Sequence, residues 1–230
     1  MAIPASLVTQ TKQLQLKASN AAVVTAKKAL PDLSKLSQTQ AGGVIRTITA
    51  SSISQFGNVA TQVARANYDQ LRSVVDSTGY SASTIAVKPE KVLDSVVGRA
   101  MSLYASERFL DSEEALLAAI GKTVGDIFRE TMANNSEFDA LASGYQRVAS
   151  ATACAFCMTV ALNEYTSYEQ SGGYHDHCGC TTVPVFKTLG AYRPSYYDQF
   201  EQDYTDATRA TDSSKAKDIL ATIRQQSGRS

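Results

Sequence analysis

Apolar side chains recur through the first 135 residues at the three- and four-residue intervals of amphipathic helices, faintly at first and strongly towards the middle. After Pro4, suited to a first helical turn, Leu7, Leu14, Leu16, Val23, Val24 and Leu30 form a thin stripe with loose helical spacing. Pro31 breaks it, Asp32 or Ser34 can cap a restart, and Gly42-Gly43 is expected to interrupt or kink the restarted helix. From Val44 the positions Ile48, Phe56, Val59, Val63, Leu71 and Val74 predict a long helix reaching about Asp76. So thin a stripe over so long a helix suggests a face that lies along a partner.

Residues 77–81 read as a loop. Pro89 then opens a helix carrying Val92, Leu93, Val96, Val97, Ala100, Met101 and Tyr104, ending near Ser106. Asp111 followed by Glu114 has the capping-box spacing and predicts a helix start there, with a stripe of Leu117, Ile120, Val124, Ile127, Phe128 and Thr131. Asn134-Asn135 is expected to end that helix.

Beyond Gly144 the pattern changes. Tyr145 to Val148 alternates as a short strand, and Cys154 to Leu162 reads as a helix with two cysteines in its first turn. A turn at Gly172-Gly173 leads to Cys180–Phe186, a β-branched segment whose Pro184 marks an edge strand. An aromatic stretch from Tyr192 to Tyr204 is expected to dock back on this unit, and residues 213–226 read as a polar terminal helix that frays. The fold class is α+β, mainly α-helical: a long amino-terminal helical arm (1–78), a helix bundle (88–135), a small Cys/His-stapled helix-plus-β domain (144–208) and a terminal helix or tail (209–230).

Composition sharpens this picture at two points. The net charge of the 230 residues is zero, yet residues 1–75 hold eight basic side chains against only Asp32 and Asp69. That asymmetry points the amino-terminal third at something negative, DNA or an acidic protein surface, or else marks a solvated helix face. No run is long and apolar enough to span a membrane and the start lacks the apolar core of a signal peptide, so a cytoplasmic location without membrane contact is expected.

The second point is the chemistry. All four cysteines and both histidines fall between Cys154 and Cys180. In a reducing compartment such clustering favours metal binding over disulfides. Zinc takes four such ligands in a tetrahedron, and Cys154 with Cys157 supplies one pair. His175, His177, Cys178 and Cys180 offer more ligands than one ion needs; His175 with Cys178 or Cys180 is preferred, with four thiolates or His177 as alternatives. A shell filled by protein ligands makes the single ion structural, and no enzyme activity is expected. The deaminase arrangement of His-x-Glu before Pro-Cys-x-x-Cys is missing, and a Cys-dependent hydrolase would leave three cysteines unexplained. A nucleic-acid-binding zinc module is the alternative function, but residues 149–186 contain no Lys or Arg, so DNA contact would fall to the amino-terminal arm.

One resemblance joins these features. Gly144-Tyr145-Gln146-Arg147-Val148-Ala149, then Cys154-Ala155-Phe156-Cys157, then His175-Asp176-His177-Cys178-Gly179-Cys180 followed by Thr181 to Phe186, resembles the phage Mu F-like minor capsid (head morphogenesis) proteins. His175 falls on that family's histidine. The resemblance covers about residues 144–189. It implies a structural protein of a tailed-phage virion, bound to the portal protein at the portal vertex inside the head and made in the host cytoplasm. It also implies help in assembly and in DNA packaging or ejection, with the major capsid protein and packaged DNA as further partners.

Overall fold

The computed structural model describes residues 2–76, 78–162, 164–165, 178–211 and 215–228. Among these lie seven α-helices and a three-stranded sheet, a mainly α-helical α+β fold. Two long helices come first: α1 (Ala5–Ala29) and, after a 3-10 turn at Leu33–Lys35, α2 (Gln38–Arg72). α3 (Glu90–Ala105) and α4 (Phe109–Phe138) complete the bundle.

The amino-terminal helices do not need a second chain to cover their apolar stripe, because α4 of the same chain covers it. α1 buries Val8, Thr11, Gln15, Ala18, Ala22 and Ala26, a stripe made mostly of small and polar residues. Small residues let helix backbones come close, and the opposing positions on α4 are glycines. A Cβ on Gly121 would stand 2.8 Å from Val23 Cγ2, and one on Gly125 would stand 3.1 Å from Ser19 Oγ. This contact rests on shape and dispersion more than on bulk hydrophobicity, which is why the stripe looks faint in sequence.

Three helix boundaries differ from the expected ones. Ser37 and Gln40 form a reciprocal capping box that starts α2 upstream of Gly42-Gly43, and the helix runs through the glycines unbroken. Asp111 does not cap α4; the helix starts two residues earlier, and Asp111 pairs with Arg108 at 2.6 Å inside the first turn. Nor does Asn135 end α4. Its buried amide donates to the Thr131 carbonyl (2.8 Å) and to the Ser83 carbonyl (2.9 Å), while its oxygen accepts from the Ser83 amide (2.8 Å). Tertiary partners here override the local preference of Asn for turns.

The Ser83 contacts belong to an extended segment, residues 81–88, laid between α2 and α4. The Ala82 amide donates to Asp69 Oδ1 (2.8 Å) and the Ile85 amide to Thr61 Oγ1 (2.9 Å), so helix side chains take the place of a neighbouring strand. Gly57 gives this strap room: an added Cβ would lie 2.8 Å from Val87 Cγ1 and 2.9 Å from Ile127 Cδ1. The stiff β-branched Val87 cannot yield cheaply. Gly57→Ala is therefore expected to lower stability by a net of about 1 kcal/mol, the overpacking outweighing the gain in helix propensity, as a shifted urea midpoint will show.

The sheet comes after α4. β1 (Ala142–Val148) lies between β2 (Glu164–Tyr165) and β3 (Thr181–Phe186), antiparallel to both. Pro184 sits opposite Tyr145 on β3, an edge strand as expected from its missing N–H. Ala142, Val148, Val183 and Phe186 join the helical core, so the sheet is seated on the bundle. The short helix α5 (Ala155–Ala161), α6 (Tyr197–Thr211) and α7 (Ala216–Ser227) gather around a second, smaller cluster. The aromatic stretch docks there as expected: the Tyr197 hydroxyl accepts from the Ala149 amide (3.0 Å) and donates to the Arg147 carbonyl (3.2 Å), and Tyr196 donates to the Ala149 carbonyl (2.7 Å). α7 contributes buried Ile219 and Ile223 and so is anchored, not frayed.

Candidate metal centre

Cys154 is the N-cap of α5, its sulfur accepting from the Cys157 amide at 3.4 Å. That cap starts the helix and turns Cys157 inward on its first turn. Cys178 and Cys180 arrive from the other side, immediately before β3, with Gly179 between them. The Cys157, Cys178 and Cys180 sulfurs all lie within 4.8 Å of one another, and all three residues are buried. The Cys157 and Cys178 sulfurs stand 3.4 Å apart, and the four cysteines are thiols, not disulfides.

Three thiols so placed suit a soft divalent cation. Metal–sulfur bonds of about 2.3 Å in a tetrahedron set the sulfurs about 3.8 Å apart, a spacing reached here with small side-chain shifts. The three buried cysteines are thus positioned to bind a metal. Of the expected ligands, the structure brings together Cys157, Cys178 and Cys180; the Cys154 sulfur lies outside that group, at the helix cap. His175 and His177, like the Gly172-Gly173 turn, lie outside the described residues.

The electrostatics show how unevenly the cluster holds its protons. Hydrogen bonds from Cys157 and Cys180, aided by the Arg129 charge, hold the Cys178 thiol far below its ordinary range. Its own hydrogen bonds to Cys178 and Cys180, with burial, push Cys157 strongly up. Cys180 is pushed up to about 12, because its bond to Cys157, which lowers it, is outweighed by that to Cys178 and by burial. Three buried, mutually hydrogen-bonded cysteines form a ligand set that binds a cation by releasing protons.

Two guanidinium groups frame the site. Arg147 on β1, fully buried, donates to Cys157 Sγ at 3.9 Å and lies over the Phe156 ring at 5.6 Å. Arg129 on α4 donates from Nε to the Cys180 carbonyl (3.0 Å) and from Nη2 to the Cys178 carbonyl (2.9 Å), while Nη1 pairs with Asp126 (2.7 Å). Gln15 on α1 donates to the same Cys180 carbonyl at 3.0 Å. Arg147 could have been suspected from its place in the Gly144–Ala149 stretch that carries the resemblance. Arg129 and Gln15 could not, being 49 or more residues from the cysteines they hold.

Beside the cluster a groove of about 570 Å³ runs between α1 and α4, walled by Leu16, Val23 and Leu117 and reaching Cys178 and Gly179. Leu110 stands at its rim, 82% exposed. Among the described residues, no helix is long and apolar enough to cross a membrane.

Comparison with curated proteins returns no match, and neither does comparison with solved structures. A family model described as VG15 protein does match, over residues 2–207, from the start of α1 into α6 and so across both the bundle and the cysteine cluster. The chain belongs to the VG15 protein family and is a viral protein.

Proposed function

We propose that this chain is a minor capsid, head morphogenesis protein of a tailed phage. It is a structural component bound at the portal vertex inside the head, where it assists assembly and DNA packaging or ejection. The observation that carries this reading is the buried cluster of Cys157, Cys178 and Cys180, which falls within the segment that resembles the Mu F-like proteins. Membership in a viral family supports it. The cluster serves as a staple, with no catalytic role: its sulfurs face the protein interior, and Cys157 and Cys178 hold together a unit whose own core is thin. Zinc is the ion that such thiolates and a reducing cytoplasm favour, with Cys154, His175 or His177 as the source of the fourth ligand.

The surfaces suggest the partners. The α1–α4 groove, with Leu110 and Leu16 at its edge, supports contact with the portal protein. α1 carries Lys12, Lys17, Lys27 and Lys28 with no acidic residue, and the last three are exposed, which supports contact with packaged DNA from the same helix. The major capsid protein is a further candidate partner.

Two measurements test the proposal. Elemental analysis of the purified chain is expected to find about one zinc per chain; zinc-free protein with readily alkylated thiols would remove the metal from the reading. Mixed with the portal protein of the same phage, the chain is expected to co-migrate on size exclusion. Separate elution at both low and high salt would remove the portal.

A further inference from the structure

Gly179 separates two metal-positioned cysteines, and a Cys-Gly-Cys segment left to itself samples many backbone shapes, most of which point its sulfurs apart. Something must select the shape in which Cys178 and Cys180 converge on Cys157. Among the described residues, Arg129 and Gln15 hydrogen-bond this segment from the helical bundle. The Arg129 guanidinium straddles Gly179, with Nη2 2.9 Å from the Cys178 carbonyl and Nε 3.0 Å from the Cys180 carbonyl. Gln15 holds the Cys180 carbonyl from α1 at 3.0 Å.

The fork is itself held in place. Asp126 pairs with Nη1 at 2.7 Å, and the side chain is 3% exposed. Gly125 leaves it room, since a Cβ there would stand 3.2 Å from Nη1 and 3.4 Å from Nη2. A planar guanidinium with two donors on two carbonyls fixes orientation as well as position, which a lysine ammonium cannot do.

We infer that Arg129 is the positioning residue of the metal centre and couples metal loading to the packing of the helical bundle through the carbonyls it holds. The inference rests on the reading of the cluster as a metal site. Metal drawn into the three sulfurs stiffens the Cys178–Cys180 segment, and through two carbonyls and the Arg129 fork it stiffens α4 and, through Gln15, α1. By linkage, a well-packed bundle binds the metal more tightly.

The test uses the full chain stripped of metal, with zinc affinity read by competition against a chromophoric chelator and site geometry by the absorption of bound cobalt(II). Arg129→Met and Arg129→Lys are both expected to weaken zinc binding about 10- to 100-fold, the lysine failing because charge without the fork does not orient the carbonyls. Gly125→Ala, which crowds the fork without changing any charge, is expected to act in the same direction. In the wild type, zinc is expected to slow amide hydrogen exchange along α4 and α1 as well as around the cysteines; in Arg129→Met that protection is expected to stay with the cysteines. Should Arg129→Met lose its helical circular dichroism, Gln15→Leu, which removes only the α1 donor, supplies the same comparison. Unchanged zinc affinity in Arg129→Lys and Gln15→Leu, with exchange protection still reaching α4, would overturn the role of Arg129. Absence of zinc binding by the wild type would instead overturn the metal reading on which it rests.

Discussion

Cys178→Ser is expected to bring the metal content of the purified chain from about one ion to none and to uncouple the carboxy-terminal unit from the rest of the fold. The reason lies in how little else holds that unit. Of the thirteen buried residues in its cluster, eight are alanine or cysteine, leaving Met158, Tyr197, Phe200, Ile219 and Ile223 as the large side chains. Burial of so few large groups contributes little against the entropy of ordering α5, α6 and α7. On the proposed metal reading, a cation drawn into three thiolates supplies the deficit, because its binding energy is available only to the folded arrangement. Loss of several kcal/mol is expected, seen as an early urea transition reported by the tyrosines at 196 and 197, ahead of the helical signal. Chelation of the wild-type protein should reproduce that transition and added zinc reverse it. A single unshifted transition in Cys178→Ser would show that the second cluster stands without metal.

Asp139→Ala is expected to destabilise the bundle by about 3–5 kcal/mol, the cost of leaving a buried charge without its partner. Asp139 lies just past α4, where its Oδ2 meets Arg72 Nε at 2.7 Å and accepts from the Tyr68 hydroxyl at 3.2 Å, while Oδ1 accepts from the Leu141 amide at 3.0 Å. The two paired side chains are 5% and 1% exposed. The surroundings are dry enough that burial first, and then the Asp139 charge, push the Tyr68 phenol well above its ordinary value. Removing the carboxylate leaves the buried guanidinium charge with only the Asp76 and Thr78 carbonyls as acceptors and no opposite charge. The paired change Arg72→Met with Asp139→Leu should recover much of the loss, since an apolar pair of similar volume replaces an ion pair that is costly to desolvate. Urea unfolding of the single and double variants measures both. An Asp139→Ala midpoint equal to that of the wild type would mean that water reaches Arg72.

How far each feature was legible in the chain depended on the range of the forces behind it. The segment that gathers Cys157, Cys178 and Cys180 was legible because the cysteines cluster at a helix start and a strand start, whereas the spacing of Cys154 and Cys157 did not reveal that the Cys154 sulfur caps the helix and stands outside the group of three. The edge position of β3 was legible from Pro184. By contrast, Asp111 in its capping-box spacing misled, because packing of Phe109 on Tyr104, with ring centroids 5.1 Å apart, draws the helix start two residues earlier. The Gly42-Gly43 break misled because the Ser37–Gln40 box had already nucleated α2.

Local chemistry therefore determined the mainly helical class, the order of α1 to α5 with β1 and β3, and the segment that gathers the sulfurs, since propensity, capping and ligand spacing act over a turn or two of chain; β2 and the helical form of α6 were not legible. Only the tertiary structure decided that α1 and α2 cover α4, that the 81–88 strap is held by Thr61, Asp69 and Asn135, and that Arg129 and Gln15 grip the cysteine segment from the bundle. Those contacts join residues 13 to 165 positions apart, and such pairings leave no periodic trace in sequence: a buried arginine and a surface arginine are the same letter until the fold places a carbonyl in front of one of them.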